Sequence, residues 1–589
     1  MTAQTNAATQ EISNEILPPG LDILYSPLGL LLLLALGVLA FAKFAEGRGG
    51  SDKLARAKWA GGKERKFARK LACKQIKERK HNRVSLFVGS PKGTRIEVVE
   101  RRKITYLPED ASRIYLPEAQ RGILVCGGPG SGKTFSMVNP LVRSAILQGF
   151  PIILYDFKYA TQESPTAGAK GQAPKLAGYA AERDYNVNIF APGFSESCIA
   201  NPLDFLTSHT DAEMARQLAV VMNKNFKLVG GESSDGGFFS NAGDQLAQAI
   251  FMMAKGTCFP DIMMCYAILK LKDLINRLEN IELNPWIKAS FSQFLSVAGS
   301  PETASSIVGT ANGLFSRFMT PSAVSAFCGT TTMPLDLKGR QMTVFGLNKE
   351  KRDVIAPLLT SILHLLVTRN VAGKRSEPLV LVIDELPTLY LPALVDWLNQ
   401  NREDGLITIL GLQNLSQLEE AYGKETTNAI FGGCATKAFF NPQDDVAAER
   451  FSKFLGNEEI KYKQRSRSSG KGGASTSLAD QNNTRSLFEI NQFNSLPEGK
   501  AVIINPGFRS GQTIGLPLLQ KIKIPKIDID SDKFSVSKWY EVQQELAEKF
   551  NLQDRNDKDL TIREKEADKL LPSKDIAIKS KYEKQLQSI

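Results

Sequence analysis

The stretch Ile123 to Thr134, ILVCGGPGSGKT, decides the fold. Its first four residues are apolar, as in a strand buried on both faces. The next eight fit G-x-x-x-x-G-K-[ST], with Gly127, Gly132, Lys133 and Thr134 in the fixed positions. Helix-prone TFSMVNPLVRSAILQG follows, so strand, glycine turn and helix form a phosphate cradle. Glycines at Gly127, Gly128, Gly130 and Gly132 allow positive φ and let backbone N–H groups converge on an anion. The whole loop, Gly127, Gly128, Pro129, Gly130, Ser131, Gly132, Lys133 and Thr134, is therefore expected to bind ATP. Lys133 would reach the β- and γ-phosphates, and the Thr134 hydroxyl would ligate Mg²⁺ at a helix N-terminus.

Such a cradle needs a second, carboxylate-bearing strand. Leu379 to Ile383, LVLVI, is apolar and β-branched and ends in Asp384-Glu385. Asp384 fits the Mg²⁺ partner, and Glu385 fits the general base for an attacking water. A carboxylate base beside the metal ligand favours hydrolysis of ATP over phosphoryl transfer to a metabolite.

At 589 residues the chain has room for two or three compact units. Its seven cysteines are scattered without C-x-x-C pairs, which argues against a disulfide scaffold or a zinc site. The three histidines, His81, His209 and His364, are dispersed. Residues 23–42 form a run of about twenty apolar residues, the length of a bilayer core at 1.5 Å per residue. Glu11, Glu15 and Asp22 precede it, while Lys43 and Arg48 open a basic stretch after it. The positive-inside rule then puts the bulk of the chain in the cytoplasm, behind a single anchor in the inner membrane. Lys43 to Arg83 carries 15 Lys/Arg against Glu46, Asp52, Glu64 and Glu78, which accounts for the entire net charge of +11. Anionic headgroups explain that excess, so the overall charge is no evidence for nucleic-acid binding.

The expected organisation is an N-terminal segment (1–22), a transmembrane helix (23–42) and a basic region with a β lead-in (43–110). A nucleotide-binding α/β domain follows in two parts, 111–204 and 328–530, interrupted by an all-α domain at 205–327. The strand PIILYDFK ends in Asp156 and Lys158, which read equally as site-edge residues or a local ion pair. The Gly, Ala and Pro-rich stretch Thr166 to Gly178 reads as a connection. The Ser/Gly-rich span 463–485 reads as a mobile loop, and 531–589 as a peripheral charged tail.

At Asp384 to Gly423, DELPTLYLPALVDWLNQNREDGLITILGLQNLSQLEEAYG, the sequence resembles the coupling-protein ATPases of bacterial conjugation and type IV secretion, of TraD/TraG type. The resemblance rests on Asp-Glu-x-Pro, an Arg before a Gly, a strand ending in Gln, then x-x-x-Gln-Leu and Tyr-Gly. YDFK at 155–158, with Tyr159 where the family has Gly, NPLDF at 201–205 and FFSNAGDQLAQAI extend it. What this implies is a RecA-like P-loop motor, a homo-hexamer that drives DNA with its attached relaxase to a type IV secretion channel. By the same resemblance Arg402 would be an arginine finger entering a neighbour's site, and Gln413 a γ-phosphate sensor. Two alternatives are a receptor that selects protein cargo and a chromosomal DNA translocase of cell division. The latter normally has several membrane spans and a winged-helix reader, and neither is evident in this sequence.

Overall fold

The computed structural model describes residues 57–89, 97–99, 103–105, 113–161, 171–229, 237–470 and 473–573. The membrane helix expected over 23–42 lies outside them. The apolar run after Gly122 becomes the strand β1 (Ile123–Cys126), an interior strand of a nine-stranded sheet. The other strands are β2 (Ile152–Asp156), β3 (Asn186–Phe190), β4 (Gln341–Gly346), β5 (Leu379–Ile383), β6 (Leu406–Leu412), β7 (Thr436–Phe439), β8 (Lys500–Ile504) and β9 (Pro517–Lys521). Their spatial order is β9-β8-β7-β1-β6-β5-β2-β4-β3. The seven strands from β7 to β3 run parallel, and β8 and β9 continue the sheet antiparallel. Parallel strands covered on both faces read as unbroken apolar runs, and β1, β2, β5 and β6 are buried at every position.

The order places β6 between the phosphate-loop strand β1 and the acidic strand β5. In register, Ile409 of β6 faces Ile123 on one side and Val382 on the other. The C-terminal ends of the three strands therefore meet at one edge, where ligands bind in open α/β sheets.

From Ala212 to Ser325 the regular structure of the described residues is helical. Asn201 fastens the entrance of this insertion to its exit. Its Nδ2 donates to the carbonyls of Pro260 (2.7 Å) and Gly329 (3.2 Å), and its Oδ1 accepts from Leu203 N. The helix Ala212–Leu228 then packs on Arg352–Val371 of the sheet domain. That second helix, counted from Lys349, is among the described residues long and apolar enough to cross a membrane. Its most apolar window is 78% buried, and it serves here as a core helix.

Three sequence expectations change. Thr166–Gly178 is more than a connection, because its second half enters the helix Ala173–Ala181. Span 463–485 is not a loop: Asn457–Gly470 and Gly473–Ser486 pair as a two-stranded ribbon. Pairing in such a ribbon is a backbone interaction that requires no apolar alternation, so composition carries no signal of it. Nor are the described residues of the expected tail, 531–573, peripheral. The expected boundary at 530/531 falls inside the helix Lys526–Phe550, which packs along Ala173–Ala181 and buries Trp539 completely. The following helix, Asp557–Leu570, covers Ile262–Leu269, and Arg563 forms a buried ion pair with Asp261.

Candidate active site

The phosphate loop lines a cleft of about 430 Å³ together with the ends of β2, β5 and β6. Only two of its four glycines adopt positive φ, Gly130 (71°) and Gly132 (86°). Gly127 and Gly128 serve a different purpose from the one expected. A Cβ at Gly127 would stand 2.7 Å from Phe440 Cβ, and one at Gly128 would stand 3.0 Å from the Pro442 carbonyl. The chain after β7 thus presses against the loop, and Gln443 Nε2 donates to Pro129 O at 3.0 Å. From the other side Gly499 N donates to Ser131 O at 3.0 Å. The loop is clamped between two segments that local sequence does not connect with it.

Thr134 opens the helical run Thr134–Gln148, whose first turn, to Val138, is of π type. Its Oγ1 donates to Asp384 Oδ2 at 2.7 Å across 250 residues of chain. Asp384 is held in place by its position after β5, and its other oxygen, Oδ1, is buried with no hydrogen-bond partner. A hydroxyl, a carboxylate and an unfilled carboxylate oxygen form an oxygen donor set, which suits Mg²⁺. Burial raises the Asp384 carboxyl above its usual value, with the Thr134 hydrogen bond and the Lys133 charge opposing the rise.

Glu385 follows with its carboxylate on the same cleft. Gln413, just past the end of β6, donates from Nε2 to Glu385 Oε2 at 2.7 Å. Burial raises the Glu385 pKa as well, against the Gln413 hydrogen bond and the Lys133 charge. A raised carboxylate is a stronger proton acceptor, which is what a general base needs. Lys133 is nearly buried at the cleft floor, and Ser131 Oγ is buried without a partner.

Asp156 lines the cleft, but its carboxylate is already engaged. It accepts from Gln172 N (2.7 Å), Ala173 N (2.8 Å) and Lys158 N (3.0 Å), so it caps a helix and a turn. Among the described residues Asp156 and Lys158 form no side-chain ion pair; Lys158 lines the cleft separately. Tyr159 fills the space over Gly346, where a Cβ would meet its ring at 2.5 Å, and its hydroxyl donates to buried Glu196. Arg402 is apart from all of these. It precedes β6, whereas Gln413 follows it, and seven residues of strand separate the two by about 23 Å. Arg402 is thus at the opposite edge of the sheet from its own cleft. Lys175 and Gln172, which also line the cleft, have no motif to mark them in the sequence.

Residues 378–498 match the family described as the TraM recognition site of TraD and TraG. The chain is 32% identical over 129 residues to coupling protein TraD of Escherichia coli (strain K12), covering 21% of this chain and 18% of that protein. It therefore spans under a fifth of that relative's length. Among solved structures, the unbound bacterial conjugative coupling protein TrwBdeltaN70 superposes with a TM-score of 0.51 at 17% identity, over 81% of this chain and 95% of its own. Plasmid coupling protein TrwB in complex with ADP and Mg²⁺ gives 0.50 at 16% identity, over 74% and 94%. At that identity the structural likeness shows the fold alone, an α/β domain with a mostly parallel sheet carrying a helical domain. The segment match lies on the strand bearing Asp384-Glu385 and the strand ending in Gln413, and the fold around it is that of the coupling proteins. The chain is thus similar to the TraD/TraG-type coupling proteins in sequence over residues 378–498 and in fold over most of its length.

Proposed function

We propose that this chain is a membrane-anchored coupling ATPase that assembles as a homo-hexamer and uses ATP hydrolysis to pump DNA, with attached relaxase, to a type IV secretion channel. The observation that carries the reading is the convergence of Thr134, Asp384, Glu385 and Gln413 at one sheet edge, with Thr134 bonded to Asp384 and Gln413 bonded to Glu385. Thr134 and Asp384 would hold Mg²⁺, which supplies charge neutralisation for the phosphates when bound. Lys133 and the loop backbone bind and orient the polyphosphate. Glu385 takes the proton of the attacking water at its free carboxylate oxygen, while Gln413 fixes the other. Because β6 runs directly from the Arg402 turn to Gln413, a contact made by Arg402 in a neighbouring copy has a rigid element through which to reach this site. Arg402 acts in trans, since its own cleft is about a strand length away. The anchor is the apolar run 23–42, and the bulk of the chain is cytoplasmic.

A second reading, a receptor that selects protein cargo, is favoured by the match of residues 378–498 to a family described by partner recognition. The two separate on one measurement, ATP turnover of the detergent-solubilised full chain with and without single- or double-stranded DNA. The motor reading expects turnover to rise with DNA and to vanish in Lys133→Ala. Turnover indifferent to DNA contradicts it and leaves the receptor.

A further inference from the structure

The cleft holds a cation that no motif assigns. Lys175 lines it, half-buried, in the first turn of the helix Ala173–Ala181. Among the described residues its side chain makes no hydrogen bond and no ion pair within 4 Å, and the carboxylate of Asp532 on the neighbouring helix is an opposite charge that acts on it from further off. Its helix is fixed from both ends. In front, Asp156 accepts from Gln172 N and Ala173 N. Behind, the helix Lys526–Phe550 crosses so closely that a Cβ at Gly178 would stand 2.0 Å from Ser535 O. Ser535 Oγ accepts from Tyr179 N and donates to Pro174 O, both at 2.8 Å. One helical turn earlier, Asp532 pairs with Arg143 of the phosphate-loop helix, and both are buried. A partly desolvated ammonium, rigidly carried and facing a phosphate cleft, is stabilised by an anion arriving there.

We infer that Lys175 is a further nucleotide-binding residue, a cation beside Lys133 that contacts a phosphate of the bound nucleotide. Asp532 is a positioning residue, because it ties the C-terminal helix to the phosphate-loop helix and so sets where Lys175 stands. This makes the helix Lys526–Phe550 a support of the nucleotide site. The inference rests on the nucleotide-binding reading above.

The test is calorimetric titration of the full-length protein with MgADP at fixed ionic strength. Lys175→Ala is expected to weaken binding about tenfold, the loss of a charge-assisted hydrogen bond, and Lys175→Arg to restore it to within about threefold. Affinity in Lys175→Ala within about twofold of wild type overturns the inference, since such a bond is worth more. If Lys133→Ala also binds MgADP like the wild type, the nucleotide site itself is wrong, a result distinguishable from failure at Lys175 alone. For positioning, Asp532→Asn is expected to shift affinity in the wild-type background and to have no further effect in Lys175→Ala. Equal effects in both backgrounds remove Asp532 from the role, and thermal melts of each variant identify any that fail to fold.

Discussion

Gly411 on β6 offers a direct probe of how Asp384, the proposed Mg²⁺ ligand, is placed. A Cβ there would lie 2.4 Å from the Asp384 carbonyl oxygen and 2.6 Å from Asp384 Oδ1. Backbone oxygen cannot rotate away, so Gly411→Ala has to move β6 and β5 apart by about 1 Å to reach ordinary contact. The cost divides in two. Overpacking of this kind destabilises by about 1–3 kcal/mol. Displacing Asp384 by about 1 Å relative to Thr134 is expected to lower kcat about 10²-fold. The assay pairs denaturant unfolding with steady-state ATP turnover. Gly313→Ala is the control: it lies in the helix Pro301–Ser316 with nothing within 4 Å of an added Cβ. That change should stabilise by about 0.5–1 kcal/mol and leave turnover intact. Wild-type midpoint and turnover in Gly411→Ala would refute the reasoning, because the strand spacing would then not be setting the site.

Glu385→Gln should retain MgATP binding and lose hydrolysis, since an amide cannot accept the water's proton; near wild-type turnover would remove Glu385 as the base. Trp539→Ala empties a fully buried site and should cost about 3–5 kcal/mol in denaturant unfolding. An unchanged midpoint would return the C-terminal helix to the status of a solvated tail. His364 is buried against Trp397 at a ring distance of 5.4 Å, and burial pushes its pKa down to about 4. The unfolded chain therefore takes up that proton first. Its contribution is intact above about pH 6.5 and is lost as pH falls towards 4, up to about 3 kcal/mol in all. His364→Phe should remove that part of the acid sensitivity, and identical stability profiles of the two proteins from pH 7 to 4 would contradict it.

The phosphate loop and Asp384-Glu385 were legible because their chemistry is local: a glycine turn, and an apolar strand ending in carboxylates. The placement of Gln413 against Glu385 was not local, and depends on β6 inserting between β1 and β5. Only the family resemblance pointed to it. Gly127 and Gly128 were misread for a similar reason, since what excludes a side chain there is Phe440 and Pro442, some 310 residues on. The C-terminal helix was hidden by its composition. Its buried residues include Asp532, Ser535 and Gln543, polar groups that find partners across the fold. Lys175 was invisible because a lone lysine in a Gly/Ala-rich stretch has no pattern.

The central claim is that hydrolysis takes place at a site shared between copies, with Arg402 supplied by the neighbour. Arg402→Ala keeps its own loop, Asp384 and Glu385, and should bind ATP but turn over at a small residue of the wild-type rate, since an arginine finger is worth about 10³–10⁵. Glu385→Gln has the complementary defect. Mixing the two purified variants and measuring ATP turnover against mixing ratio should give a maximum at intermediate ratios, where an intact cleft meets an intact Arg402. A flat line at the level of the separate variants would contradict the shared site.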